Sequence, residues 1–117
     1  MKLVTFLDSS QKQNIGILAE PGKIIDLKAG FDMLTFIQQQ AKTMPAARQL
    51  LTAYKEGQLP SGMLVDATKV ELISPIPRPL SMRDGYAFRQ HVEAARRNRG
   101  VPMIPEFDNF PIYYYTN

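Results

Sequence analysis

Apolar and polar positions divide the chain into stretches of different period. Leu3 to Leu7 is a short apolar, partly β-branched run that predicts a strand. The polar stretch Asp8 to Asn14 predicts a turn, and Ile15, Ile17 and Leu18 predict a second strand. Glu20-Pro21-Gly22-Lys23 has the chemistry of a type II turn, because proline presets φ and glycine accepts the positive φ that follows. Ile24 to Leu27 is the third strand, so residues 2–27 are expected to form an antiparallel meander.

The period then lengthens. Leu34, Ile37 and Ala41 share one helical face, with Gln38, Gln39 and Gln40 largely outside it, and Asp32 is placed to cap the start. Pro45 suits the first turn of a second helix, where a missing N–H does no harm. Ala47, Leu50, Leu51 and Tyr54 follow i, i+3, i+4, i+7 spacing, and Gly57 is a natural stop. Residues 58–64 read as loop, with Val70 and Leu72 alternating as another short strand. Residues 1–74 therefore read as a small α+β domain, an antiparallel sheet with two helices. They carry no catalytic constellation, which favours a structural or interface role there.

Pro75-Ile76-Pro77-Arg78-Pro79 marks a boundary, since three prolines in five residues oppose helix and favour an extended joint. Beyond it, a helix is expected from about Gly85 to Asn98, capped by Asp84, followed by a strand at Ile112 to Tyr115. Asp84 and His91, seven residues apart, would then lie along one side of that helix, roughly 10 Å from each other, with a substrate or ion between them. Phe88 and Ala95 share the His91 face. Arg89–Glu93 and Glu93–Arg97 are i, i+4 pairs on the solvent side.

Composition narrows the functions. A chain of 117 residues is one domain, or one small domain plus part of another, and 44% hydrophobic residues suffice for a core. Cysteine is absent, which excludes disulfides and thiol chemistry and suits the cytoplasm. No stretch approaches the roughly 20 apolar residues of a membrane helix, so no membrane partner is expected. Net charge is only +3, and Arg83, Arg89, Arg96, Arg97 and Arg99 are answered by Asp84 and Glu93, so no nucleic-acid partner is expected either.

The residues with chemistry cluster in Arg83-Asp84-Gly85-Tyr86-Ala87-Phe88-Arg89-Gln90-His91-Val92, which holds the only histidine. On residues alone, each has a plainer reading. His91 can be a packed side chain, Asp84 a helix cap, Tyr86 core, and Arg96 to Arg99 a solvated helix end favoured by the helix dipole.

The same segment, with Pro75 to Pro79 before it and Pro111-Ile112-Tyr113-Tyr114-Tyr115 after it, resembles the fumarylacetoacetate hydrolase family at the entry to its β-roll catalytic domain. Met1 to Phe6, Ile15 to Leu18 and Ile24 to Leu27 are similar to the small N-terminal domain of bacterial members. The resemblance implies a domain at 1–74, then a linker and the opening helix and strand of the catalytic domain at 75–117. It implies His91 as the general base that activates water, since an imidazole titrates near operating pH. Asp84 would help hold Ca²⁺ or Mg²⁺, hard ions that suit carboxylate oxygen. Tyr86, Tyr114 and Arg99 would contact the substrate, a β-diketo or acylpyruvate-type oxo acid cleaved at a carbon–carbon bond. The family's remaining acidic ligands, a Glu-x-Glu pair, and a glutamate supporting the histidine are expected beyond Asn117. So are the rest of the catalytic domain and a homodimer in the complete protein, while the 117 residues alone are expected to be inactive. Decarboxylases, isomerases and hydratases share this scaffold, and a non-enzymatic assembly or regulatory module is the alternative from another class.

Overall fold

The computed structural model describes residues 1–116 and is α+β. It folds as two compact units, Met1–Arg78 and Pro79–Asn117.

The first unit carries the expected meander: β1 (Lys2–Leu7), β2 (Gln13–Glu20) and β3 (Lys23–Asp26) pair antiparallel in sequence order. The β2–β3 turn is built as its residues require, with Gly22 at φ 81°. Two edge strands complete a five-stranded sheet of order β4-β3-β2-β1-β5: β4 (Leu64–Asp66) beside β3 and β5 (Glu71–Ile73) beside β1. β4 lies where loop is expected through residue 64. It exists because β3 offers a free edge, pairing Ile24 with Val65 and Ile25 with Leu64.

The helices differ in extent from the expected ones. α1 (Met33–Gln38) starts at Asp32, whose carboxylate accepts from the Thr35 N–H at 2.8 Å, but it buries Met33 and Phe36. Ile37 stays 43% exposed and Ala41 belongs to the next helix. α2 (Gln40–Lys55) begins directly after Gln39, so Pro45 lies inside it rather than in its first turn. Proline there removes the N–H that would bond the Ala41 carbonyl, and Ala41 lies at the exposed surface where water can take that carbonyl. The Thr43 hydroxyl donates to the Phe36 carbonyl at 2.8 Å, tying the two helices at their junction.

Both helices pack on one sheet face, where Ile15, Ile17, Ile25, Met33, Phe36 and Ala47 form the core and Leu50, Leu51 and Tyr54 flank it. Full burial of each large apolar side chain contributes about 1.5–3 kcal/mol, which is what holds short helices of modest propensity in place. Pro75 and Ile76, after β5, stay with this unit. Thr5 Oγ1 donates to the Pro75 carbonyl at 2.6 Å, and Ile76 packs against the core.

The second unit is a two-stranded ribbon, β6 (Met82–Gly85) with β7 (Tyr113–Thr116), plus α3 (Arg89–Asn98) and a 3-10 turn at Pro105–Asp108. Among the described residues, no helix is long and apolar enough to cross a membrane.

Candidate functional site

The motif does not form the continuous helix expected from Gly85. Met82 to Gly85 are extended because β7 takes their backbone groups, with Arg83 opposite Tyr115, Asp84 opposite Tyr114 and Gly85 opposite Tyr113. Asp84 is therefore a ribbon residue, and the cap position of α3 belongs to Phe88, which makes no side-chain capping bond. The pairing also ends the idea of Asp84 and His91 along one helix side, and Phe88, at 81% exposure, shares no buried face with His91. Helix periodicity could not show this, because the competing partner lies about thirty residues away.

Three backbone bonds bend the chain from ribbon to helix. The Tyr86 N–H donates to the Ile112 carbonyl at 3.1 Å, extending the ladder past Gly85. The Ala87 N–H turns back to the Gly85 carbonyl at 2.8 Å, and the Val92 N–H closes the first helical turn on Phe88 at 3.1 Å. Tyr86 and His91 are thereby brought together, their rings edge-to-face with centroids 6.2 Å apart and planes at 84°. His91 is exposed, while the adjacent Val92 is 2% exposed and anchors the helix.

The ribbon sorts the other candidates by face, since directly opposed residues of an antiparallel pair share a side. Asp84 and Tyr114 stand on one side. Arg83, Tyr113 and Tyr115 stand on the other, where the Arg83 guanidinium lies 5.2 Å from the Tyr115 ring centroid. Such a stack is favourable because the ring face is electron-rich.

Arg99 is set apart from these groups. It ends α3 eight residues after His91, about 12 Å along the axis. The end is a Schellman turn: the Gly100 N–H donates to Arg97 and the Val101 N–H to Arg96, with Gly100 at φ 71°. Arg96 Nε pins the following segment through the Pro102 carbonyl at 2.5 Å.

Two residues to which the sequence assigned no site role complete the neighbourhood. Phe107 meets Tyr86 edge-on, centroids 6.3 Å apart and planes at 86°. Asp108 accepts from Arg89 Nε at 2.9 Å, and Arg89 also reaches Glu93 at 3.2 Å, as the i, i+4 spacing predicts. These contacts, the Asp108 hydrogen bond foremost, hold the guanidinium more firmly protonated than usual. The one local signal is Pro105, a residue suited to starting a helical turn. A shallow cleft of about 290 Å³ is lined by Tyr86, Ala87, Phe107, Phe110 and Ile112 among others. A larger cleft of about 500 Å³ lies in the first unit beside Asp8, Asp26 and Lys28. It holds no imidazole, and its carboxylates are engaged by neighbouring groups of the same loops.

The described residues do not by themselves gather a divalent-cation site. Asp84 is exposed, and among the described residues no group of three histidine or acidic side chains gathers anywhere. Asp108, next to Phe107, is already taken by Arg89. Calcium takes 6–8 oxygen ligands and magnesium a strict octahedron, so one carboxylate does not make a site.

No protein-family model matches this chain, and no curated protein matches it.

Proposed function

We propose that this chain supplies the histidine–tyrosine part of a fumarylacetoacetate hydrolase-like site, cleaving a carbon–carbon bond in an acylpyruvate-type acid. The observation that carries the reading is the paired placement of Tyr86 and His91: the chain's only imidazole, exposed to solvent, stands against a phenol ring at the start of α3. An exposed imidazole can take a proton from water, and a neighbouring aromatic restrains its ring.

In this reading His91 removes a proton from water as the oxygen attacks one carbonyl of the β-diketo acid. The carbon–carbon bond next to that carbonyl then breaks. Its electron pair passes into the second carbonyl as an enolate, which takes a proton to give the ketone, while the attacked carbon leaves as a carboxylic acid. Tyr86 and Tyr114 contact the substrate, and Arg99 pairs with its carboxylate where the complete site brings the end of α3 near. Asp84 would contribute a single carboxylate to any Ca²⁺ or Mg²⁺ that the complete site held, the described residues making no metal site by themselves. The rest of the catalytic domain and a second subunit complete the enzyme. A reducing compartment, the cytoplasm, suits a chain without cysteine.

The test is turnover of acylpyruvates, followed in the ultraviolet, by the protein carrying its complete catalytic domain. Replacing His91 by alanine should lower kcat by roughly 10²–10⁴-fold, the range for losing a general base. Near-normal turnover would remove His91 from the mechanism. A second reading, an assembly module, is favoured by the exposure of Leu80, Phe88, Phe110, Tyr114 and Tyr115, each above 60%. It predicts no turnover in any form of the protein and stable capture of a partner chain through the second unit.

A further inference from the structure

The 3-10 turn Pro105–Asp108 touches the motif from two sides. Phe107 holds the Tyr86 ring edge-on, and Tyr86 in turn stands edge-on to His91, so three rings form a chain ending on the imidazole. The next residue, Asp108, is bonded to Arg89, two residues before His91 on the first turn of α3. One turn thus bears on His91 both through its ring contacts and through the backbone that carries it.

That double hold matters because, among the described residues, no hydrogen bond fixes the imidazole. His91 is exposed and lies in the first turn of α3, a helix whose cap residue makes no side-chain bond. The torsion that turns a histidine ring is broad and roughly two-fold, so an unrestrained ring samples many orientations. A general base must keep its nitrogen within about 2.6–3.2 Å of the proton it takes. We infer that Phe107 and Asp108 are positioning residues for His91, Phe107 by bracing Tyr86 against the imidazole and Asp108 by holding Arg89 and with it the first turn of α3. The catalytic consequence rests on the reading of His91 as the base, whereas the positioning itself does not.

The single histidine makes the test direct. In the 117-residue chain, nuclear magnetic resonance should show one set of imidazole signals, whose shifts report the rings around His91. They should lie away from free-histidine positions and show cross-relaxation with the Tyr86 ring. Phe107→Leu and Asp108→Asn should each move them at least halfway to free-histidine positions and weaken that cross-relaxation. Phe107→Tyr should restore both, and Phe110→Leu, a change at an exposed neighbour outside the ring chain, should leave them in place. The first unit's amide spectrum should be unchanged throughout. Should Phe107→Leu unfold the second unit, Asp108→Asn carries the test, because Asp108 is half exposed and the substitution conserves its shape. Positioning is overturned if the wild-type signals already match free histidine, if Asp108→Asn leaves them unmoved, or if Phe110→Leu moves them as far. In the complete enzyme, Phe107→Leu should lower kcat about tenfold or more with KM little changed, as a slightly misplaced base would. Absence of turnover in wild type would sink the hydrolase reading alone, since the imidazole signals decide positioning independently.

Discussion

Asp84 and Tyr114 stand directly opposite each other across the β6–β7 ribbon, thirty residues apart in sequence and on the same side of the two strands. A carboxylate and a phenol so placed can address one ligand together, which neither the order of the residues nor their spacing reveals. The ribbon also fixes what the pair cannot do alone, because no further acidic or histidine groups gather among the described residues.

Metal binding by the 117-residue chain should accordingly be weak. Calorimetric titration with Ca²⁺ or Mg²⁺ is expected to give an affinity no better than about millimolar, since a single carboxylate meets neither ion's coordination demand. Asp84→Asn should leave the ribbon folded and abolish what binding there is. Micromolar affinity in the wild-type chain would mean that its ligands come together elsewhere.

Gly16 is the position in the sheet least able to accept a side chain. A β-carbon there would lie 2.6 Å from Ile24 Cγ2, 2.8 Å from the Ile25 carbonyl oxygen and 3.3 Å from the Phe6 ring. Ile24 and Phe6 are themselves buried, so neither can move into solvent without loss. Gly16→Ala should therefore destabilise the first unit by about 3 kcal/mol, at the upper end for overpacking, read as a lower urea midpoint at unchanged slope. A midpoint within error of wild type would show that the strands separate easily at this point.

The β1–β2 loop should confer acid sensitivity. Asp8 accepts from the Ser10 hydroxyl at 2.6 Å, from the Lys12 N–H at 3.1 Å and from the Asn14 amide at 2.9 Å. The Ser10 bond foremost lowers its pKa from 3.8 to about 2. A depressed folded-state value means that the carboxylate's contribution is fully present above the unfolded value and is lost as pH falls through the folded one. Wild type should thus lose stability between about pH 4 and pH 2, and Asp8→Asn should lose less over the same window. Urea midpoints at several pH values decide it, and parallel profiles for the two proteins would exclude Asp8 as the group responsible.

Nucleic acid should bind weakly and without sequence preference. Net charge is only +3, and of the arginines in the second unit Arg89 is already paired with Asp108 and Glu93. So small an excess of positive charge neutralises few phosphates. Fluorescence anisotropy with duplex and single-stranded oligonucleotides at physiological salt should show no submicromolar complex. A tight, sequence-dependent one would make the exposed tyrosines and arginines a stacking platform instead.

Much of the first unit is legible in the amino-acid sequence, because its signals are local. Strand alternation at Ile15 and Ile17, the turn at Pro21-Gly22, the Asp32 cap, the stripe of Ala47, Leu50, Leu51 and Tyr54, and the Gly57 stop each act within a few residues of the backbone they shape. The break at Gln39 is not legible there, because it answers to the sheet: Met33 and Phe36 of α1 share one core with Ala47 of α2 and with Ile15, Ile17 and Ile25 of the strands. In the second unit, sequence alone determined that His91 and Tyr86 lie close in the chain and that a strand occupies Tyr113 to Tyr115. Tertiary structure decided the rest. Backbone groups of β7 needed partners and found them in Met82 to Gly85, which took Asp84 out of the helix. A hydrogen-bonded ion pair and an aromatic edge brought Asp108 and Phe107 back across the chain to the neighbourhood of the histidine. These choices rest on contacts between residues nineteen to thirty-four positions apart, and no local periodicity records them.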